Sequence, residues 1–171
     1  MTRLIAVALL SVGILGFSAG RAAAGPGDAT EKLLKDSKLD YKKLKDGIFK
    51  LVIETKQGIS VVIIEEKKAG WADGKKNDVL YLFIYTEVLS TPADFKAPAG
   101  MLTKIAELND RIRFGSLGYS KNADGSYSMF RNATVFLKNL DEEQLADYVI
   151  LTHLDKFVFQ KEFRGFLDGG Q

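Results

Sequence analysis

Residues 111–138, RIRFGSLGYSKNADGSYSMFRNATVFLK, decide how the rest of the chain is read. Ile112 and Phe114 alternate with Arg111 and Arg113, and apolar residues return at Met129, Phe130, Ala133, Val135, Phe136 and Leu137. Between the two runs lies Asn122-Ala123-Asp124-Gly125. Asp-Gly is a turn signal because glycine enters the left-handed region without a Cβ clash. The stretch therefore predicts a β-hairpin. Its register stays open, since sliding the turn by one residue exchanges the two faces.

Working outward, Asn139 stands three residues before Glu142, a capping-box spacing, and Asp141, Glu142 and Glu143 suit the positive end of a helix. The helix is predicted to run to about residue 163, roughly 36 Å at 1.5 Å per residue. Its apolar positions are wider than one stripe, which implies burial on more than one side. On the other flank, Met101, Leu102, Ile105 and Leu108 at three-to-four spacing behind Pro98 predict a helix over residues 99–109. Further upstream, three strands are predicted at 48–55, 59–66 and 79–88. Gln57-Gly58 closes the first turn, and a long polar tip over 67–78 carries Trp71 as its one large apolar residue. Asp28, three residues before Glu31, starts a first helix over 29–38, and residues 39–46 read as a polar connector.

The order is α-β-β-β-α-β-β-α, an α+β fold with a five-stranded antiparallel sheet and helices packed on it. Phe49, Leu51 and Ile53 alternate with more polar neighbours, the pattern of a half-buried strand. The next two strands are apolar on both faces, at Val61 to Ile64 and at Val79 to Tyr85. Both faces of the sheet centre should thus be covered. Either helices take one side and a chain segment the other, or a second protein docks on the far side.

The first residues read as an export signal. Met1-Thr2-Arg3 is positive, residues 4–17 are uncharged and apolar, and Ala22-Ala23-Ala24 supplies small residues for cleavage. Fourteen residues span only about 20 Å as a helix, short of the roughly 30 Å core of a bilayer. Cleavage leaves residues 25–171 as one domain with no stable membrane anchor, exported to a bacterial periplasm or the exterior. Losing Arg3 and Arg21 brings the 24 basic residues to 22, equal to the 22 acidic ones. A neutral chain without a basic block is a poor nucleic-acid binder. With no cysteine, stability has to come from buried apolar surface, in line with a 46% hydrophobic composition.

Little in the sequence points to catalysis. One histidine, His153, and no cysteine cannot assemble the usual zinc sets. His153 reads as a polar residue on the wet or interface side of the terminal helix. Gly115-Ser116-Leu117-Gly118 lacks nucleophile-elbow spacing. Glu65 and Glu66 are strand neighbours that point to opposite faces and cannot share a proton. No phosphate-binding glycine pattern, calcium loop or cofactor motif is present.

In element order the chain resembles the type III secretion chaperone-like fold, and within it the YbjN-like proteins of bacteria. The resemblance rests on the helix ending in Leu108-Asn109, the hairpin turning at Asp124-Gly125, and the entry Asn139-Leu140-Asp141 into the last helix. It implies a non-enzymatic, often homodimeric protein that wraps an extended client segment over apolar surface, or a regulator. The secretion chaperones are cytosolic and typically acidic, unlike this neutral chain with a leader. The expected function is an exported binding protein that engages a peptide, a partner or a second copy through apolar sheet and terminal-helix surface. Trp71 is a candidate partner anchor. Arg111, Arg113 and Arg131 are candidates for pairing with client carboxylates from one side of the hairpin. Tyr81 and Tyr85 are candidates on the sheet. The alternative is a small-ligand carrier or weak enzyme, with a pocket between sheet and terminal helix where Tyr81, Tyr85 or His153 converge.

Overall fold

The computed structural model describes residues 25, 27–68, 79–93 and 95–167. Within them, six strands form one antiparallel sheet: β1 (Tyr41–Lys45), β2 (Ile48–Thr55), β3 (Gly58–Lys68), β4 (Leu80–Ser90), β5 (Ser116–Lys121) and β6 (Tyr127–Phe136), in the order β1-β2-β3-β4-β6-β5. Three helices complete the fold: α1 (Asp28–Asp36), α2 (Ala99–Arg111) and α3 (Glu142–Leu167). A 3₁₀ turn, Leu137–Asn139, joins β6 to α3.

The anchor hairpin forms as the Asp-Gly signal predicts. Gly125 sits at φ 86°, and the Asp124 carboxylate accepts from the backbone N–H and hydroxyl of Ser126 at 2.9 and 2.6 Å. Those two bonds hold the Asp124 carboxyl below its ordinary pKa. The register opposes Leu117 to Arg131 and Tyr119 to Met129.

Two expectations need correction. The sheet has six strands, not five, because residues 41–45 form β1 against β2. Its sequence, YKKLK, reads as a connector since three of its five residues are lysines. An edge strand half exposed to water tolerates this, and lysines together with the register shift between Lys43 and Lys45 discourage further pairing. The helix starts also move. Asp141 caps α3, accepting from the Gln144 N–H at 2.8 Å while the Gln144 side chain reaches back to the Asp141 N–H, a capping box two residues after the expected one. At α1 the cap is Gly27, and the helix N-terminus is pinned by Glu66 of β3, which accepts from the Gly27 N–H and the Thr30 hydroxyl. Glu65 takes the opposite face and pairs with Lys67, as strand alternation requires.

All three helices pack on one face of the sheet. Phe49, Leu51, Val62, Ile64, Leu82 and Ile84 form a core with Leu34 of α1 and Leu145 and Val149 of α3. A second core joins Val88, Leu117 and Met129 to Met101, Ile105 and Leu108 of α2 and Phe159 and Phe163 of α3. Between the two cores, α3 meets the sheet through a polar belt of Thr152, His153 and Asp155 against Thr55, Ser60 and Arg131. The expected burial of α3 on more than one side is not found: Leu145, Val149, Phe159 and Phe163 enter the cores, while Ile150, Leu151 and Val158 are exposed.

Candidate interaction surface

Side chains on the face away from the helices come from alternate positions of the same strands. Val52 and Ile59 are 57% and 58% exposed there, while Val62 and Ile64 on the helix-covered face are 0% exposed. Val61 and Phe136 are exposed as well, with Ile63, Tyr81, Phe83, Tyr85 and Phe130 half-buried among them. Tyr85 stands between Phe83, at 5.2 Å between ring centroids, and Phe130, at 6.0 Å in an edge-on contact. Among the described residues no helix or chain segment covers this face. The sequence expectation of a covering segment from the chain's own fold is therefore not met by them. The surface is aliphatic on β2 and β3 and aromatic on β4 and β6. A charged pair interrupts it on β3, where Lys67 bonds Glu65 at 3.2 Å and lies 5.3 Å from the centre of the Phe83 ring, with Glu65 directly opposite Phe83. Burial first, and the Glu65 charge second, raise the Tyr85 phenol above its ordinary pKa, so this hydroxyl stays neutral and able to donate at physiological pH.

The sequence-derived site residues fall in different places. Tyr81 and Tyr85 lie on the bare face, as part of the surface just described. Trp71 lies outside the described residues. The three arginines do not share one side of the hairpin, because β5 begins only at Ser116. Arg111 ends α2 and Arg113 follows it, both exposed. Arg131 points the other way, into the molecule, and is 2% exposed. Its Nε donates to Asp155 Oδ2 at 2.7 Å, and its two terminal nitrogens donate to the carbonyls of Asn132 and Phe114. Three of its five N–H donors are committed and the side chain is buried, so this guanidinium is not presented to a client carboxylate. Alternation alone assigns Arg131 to a strand and leaves its face open; the hairpin register decides it.

His153 is also corrected. It is 0% exposed and faces the sheet, not water. Nδ1 is 2.7 Å from the Ser60 hydroxyl and Nε2 is 2.8 Å from the Thr55 hydroxyl, with Phe157 edge-on to the ring. Its partners lie more than ninety residues away in sequence, and no local signal marks them. Tyr81 and Tyr85 sit across the sheet, so the three groups do not converge on one pocket. Beyond the Val62–Thr86 pair, β3 and β4 part, and an open cleft of about 460 Å³ lies there beside Ser60, Lys156 and Gln160. Burial, and then the Lys156 charge, lower the His153 pKa. The unfolded chain therefore binds this proton more readily than the folded one. Stability is fully present above the ordinary value of 6.5 and falls as pH drops below it. Urea midpoints measured from pH 8 to pH 5 are expected to decline, and His153→Gln should flatten that part of the profile. An unchanged slope in the variant would place the acid sensitivity elsewhere.

No cluster of three or more metal-ligating side chains occurs among the described residues, and no helix among them is long and apolar enough to cross a membrane. Comparison with protein-family models, curated proteins and solved structures finds no match to this chain.

Proposed function

We propose that this chain is a non-enzymatic, exported protein-binding module that docks a protein partner on the bare face of its sheet, the simplest partner being a second copy of itself. One observation carries the reading: aliphatic and aromatic side chains of β2, β3, β4 and β6 share one uncovered face, with the Glu65–Lys67 pair of β3 set among them. Monomeric proteins rarely expose such patches without a binding role. An isologous pairing of two such faces buries the aromatic residues of each.

The finer assignment, a type III secretion chaperone-like fold of the YbjN-like kind, belongs to the same proposal. Its support is the order α-β-β-β-α-β-β-α, which α1, β2–β4, α2, β5, β6 and α3 reproduce once β1 is set aside as an added edge strand. A sheet with helices on one side only suits a protein that holds a partner on the other. The apolar leader with its small-residue cleavage pattern supports export.

Sedimentation of residues 25–171 at micromolar concentration tests the reading. The expected mass is that of two chains. Phe83→Lys, at the centre of the face, should cost about 2 kcal/mol of association, roughly thirtyfold in Kd, while leaving the thermal midpoint of the monomer unchanged. A wild-type chain that stays single up to millimolar concentration would overturn the second-copy assignment.

A further inference from the structure

The ladder between β5 and β6 stops short. β5 pairs with β6 only as far as Ser116 opposite Asn132, whereas β4 pairs with β6 out to Phe136. Residues 133–136 are thus held on one side by β4 and have no strand on the other. Which backbone groups are left open follows from Asn109. Its side-chain amide accepts from the Leu117 N–H at 2.6 Å and donates to the Leu117 carbonyl at 3.1 Å. Leu117 therefore turns its backbone outward, and the inward-bonded pairs of the ladder are Ser116 with Asn132 and Gly118 with Phe130. Continuing the alternation along β6, Thr134 and Phe136 direct their N–H and C=O groups to the open side.

A groove of about 420 Å³ lies along this opening. Phe136 of β6 and Phe114, just before β5, flank it on one side and Tyr148 and Leu151 of α3 on the other, and the Phe114 and Tyr148 rings meet edge-on at 5.9 Å. Asp147 is the one charged side chain among the lining residues. Elsewhere β1 carries lysines and an irregular register, and β5 is closed at Leu117 by Asn109. The gap beside β6 has neither device.

We propose that this slot takes a short extended peptide segment of a protein partner as an added strand, bonded to Thr134 and Phe136, with alternate apolar side chains between Phe114 and Leu151 and a basic side chain over Asp147. The slot is four residues long, about 13 Å, and its end at Asn132 is closed by the Phe114 carbonyl held on Arg131. A second copy does not fit it. The β6 strand of another copy, laid antiparallel, would have to run on through its 3₁₀ turn into the residues that precede β5. A free peptide strand ends or turns away there.

The slot opens beside β6 and borders the bare sheet face at Phe136, but its test does not depend on dimerisation. The probe is a capped hexapeptide, Val-Thr-Lys-Thr-Val-Thr, whose valines and lysine share one strand face and so can all meet α3, added to the isotope-labelled chain, with amide hydrogen exchange followed by NMR. Exchange at Thr134 and Phe136 is expected to slow by about tenfold or more at saturation, with the β1 amides unchanged. The Phe83→Lys variant should give the same result. Asp147→Lys should weaken the lysine peptide several-fold and favour its glutamate counterpart. Three results would overturn the proposal: no slowing at millimolar peptide, equal binding of a peptide N-methylated at alternate residues, or protection that grows with protein concentration when no peptide is present. Unaltered peptide preference in Asp147→Lys would overturn the basic-residue assignment.

Discussion

Arg131→Ala is expected to destabilise the chain by about 3 kcal/mol, within the range for breaking a buried ion pair from one side. The Arg131 side chain is 3% exposed and that of Asp155 31%, so the orphaned carboxylate regains some water and the loss falls toward the lower end of that range. Two carbonyls, those of Asn132 and Phe114, lose their donor at the same time. Both sit where β5 begins, so the damage should be local as well as global. Chemical denaturation gives the total, and exchange of the Leu117 and Gly118 amides gives the local part. Arg131→Lys should recover little, because one ammonium cannot reach a carboxylate and two divergent carbonyls together. A loss under about 1 kcal/mol would mean that the belt between the two cores is loosely held.

Phe49→Ala is expected to cost about 3–5 kcal/mol, the cost of emptying a fully buried aromatic site. The ring is 0% exposed and meets Tyr41 edge-on at 5.6 Å. Tyr41 in turn donates to Glu31 of α1 at 3.2 Å, and Glu31 also bonds Lys35 and Lys43. Those lysines hold the Glu31 carboxyl below its ordinary pKa, mainly through Lys35. Phe49 thus supports α1 and β1 together, and both should open early in the variant. Exchange at residues 41–45 accelerating ahead of β4 would show this. Uniform acceleration through the whole sheet would indicate one cooperative unit instead.

Much of the architecture was legible because it rests on local rules. The Asp124-Gly125 turn, the apolar spacing of α2 and the acidic start of α3 each report on a few adjacent residues. The Glu65 and Glu66 reading held for the same reason, since strand alternation is a two-residue rule. β1 was not legible. Its pairing partner supplies the apolar surface, and its own lysines look like a connector. The faces of Arg131 and His153 were hidden because each depends on a register or a contact set elsewhere in the chain. The sequence did show that β3 and β4 are apolar on both sides. It did not show which side the helices would take, because that choice is made by α1 and α3 jointly.

The amide of Asn109 occupies the outer rim of β5 as one more residue of a strand would, and the opposite rim ends in lysines. Lateral pairing by further copies is therefore hindered at β1 and at Leu117 of β5. The proposed association, face against face, closes on itself after one partner. Crowding the protein should accordingly yield discrete particles of limited size, not ribbons.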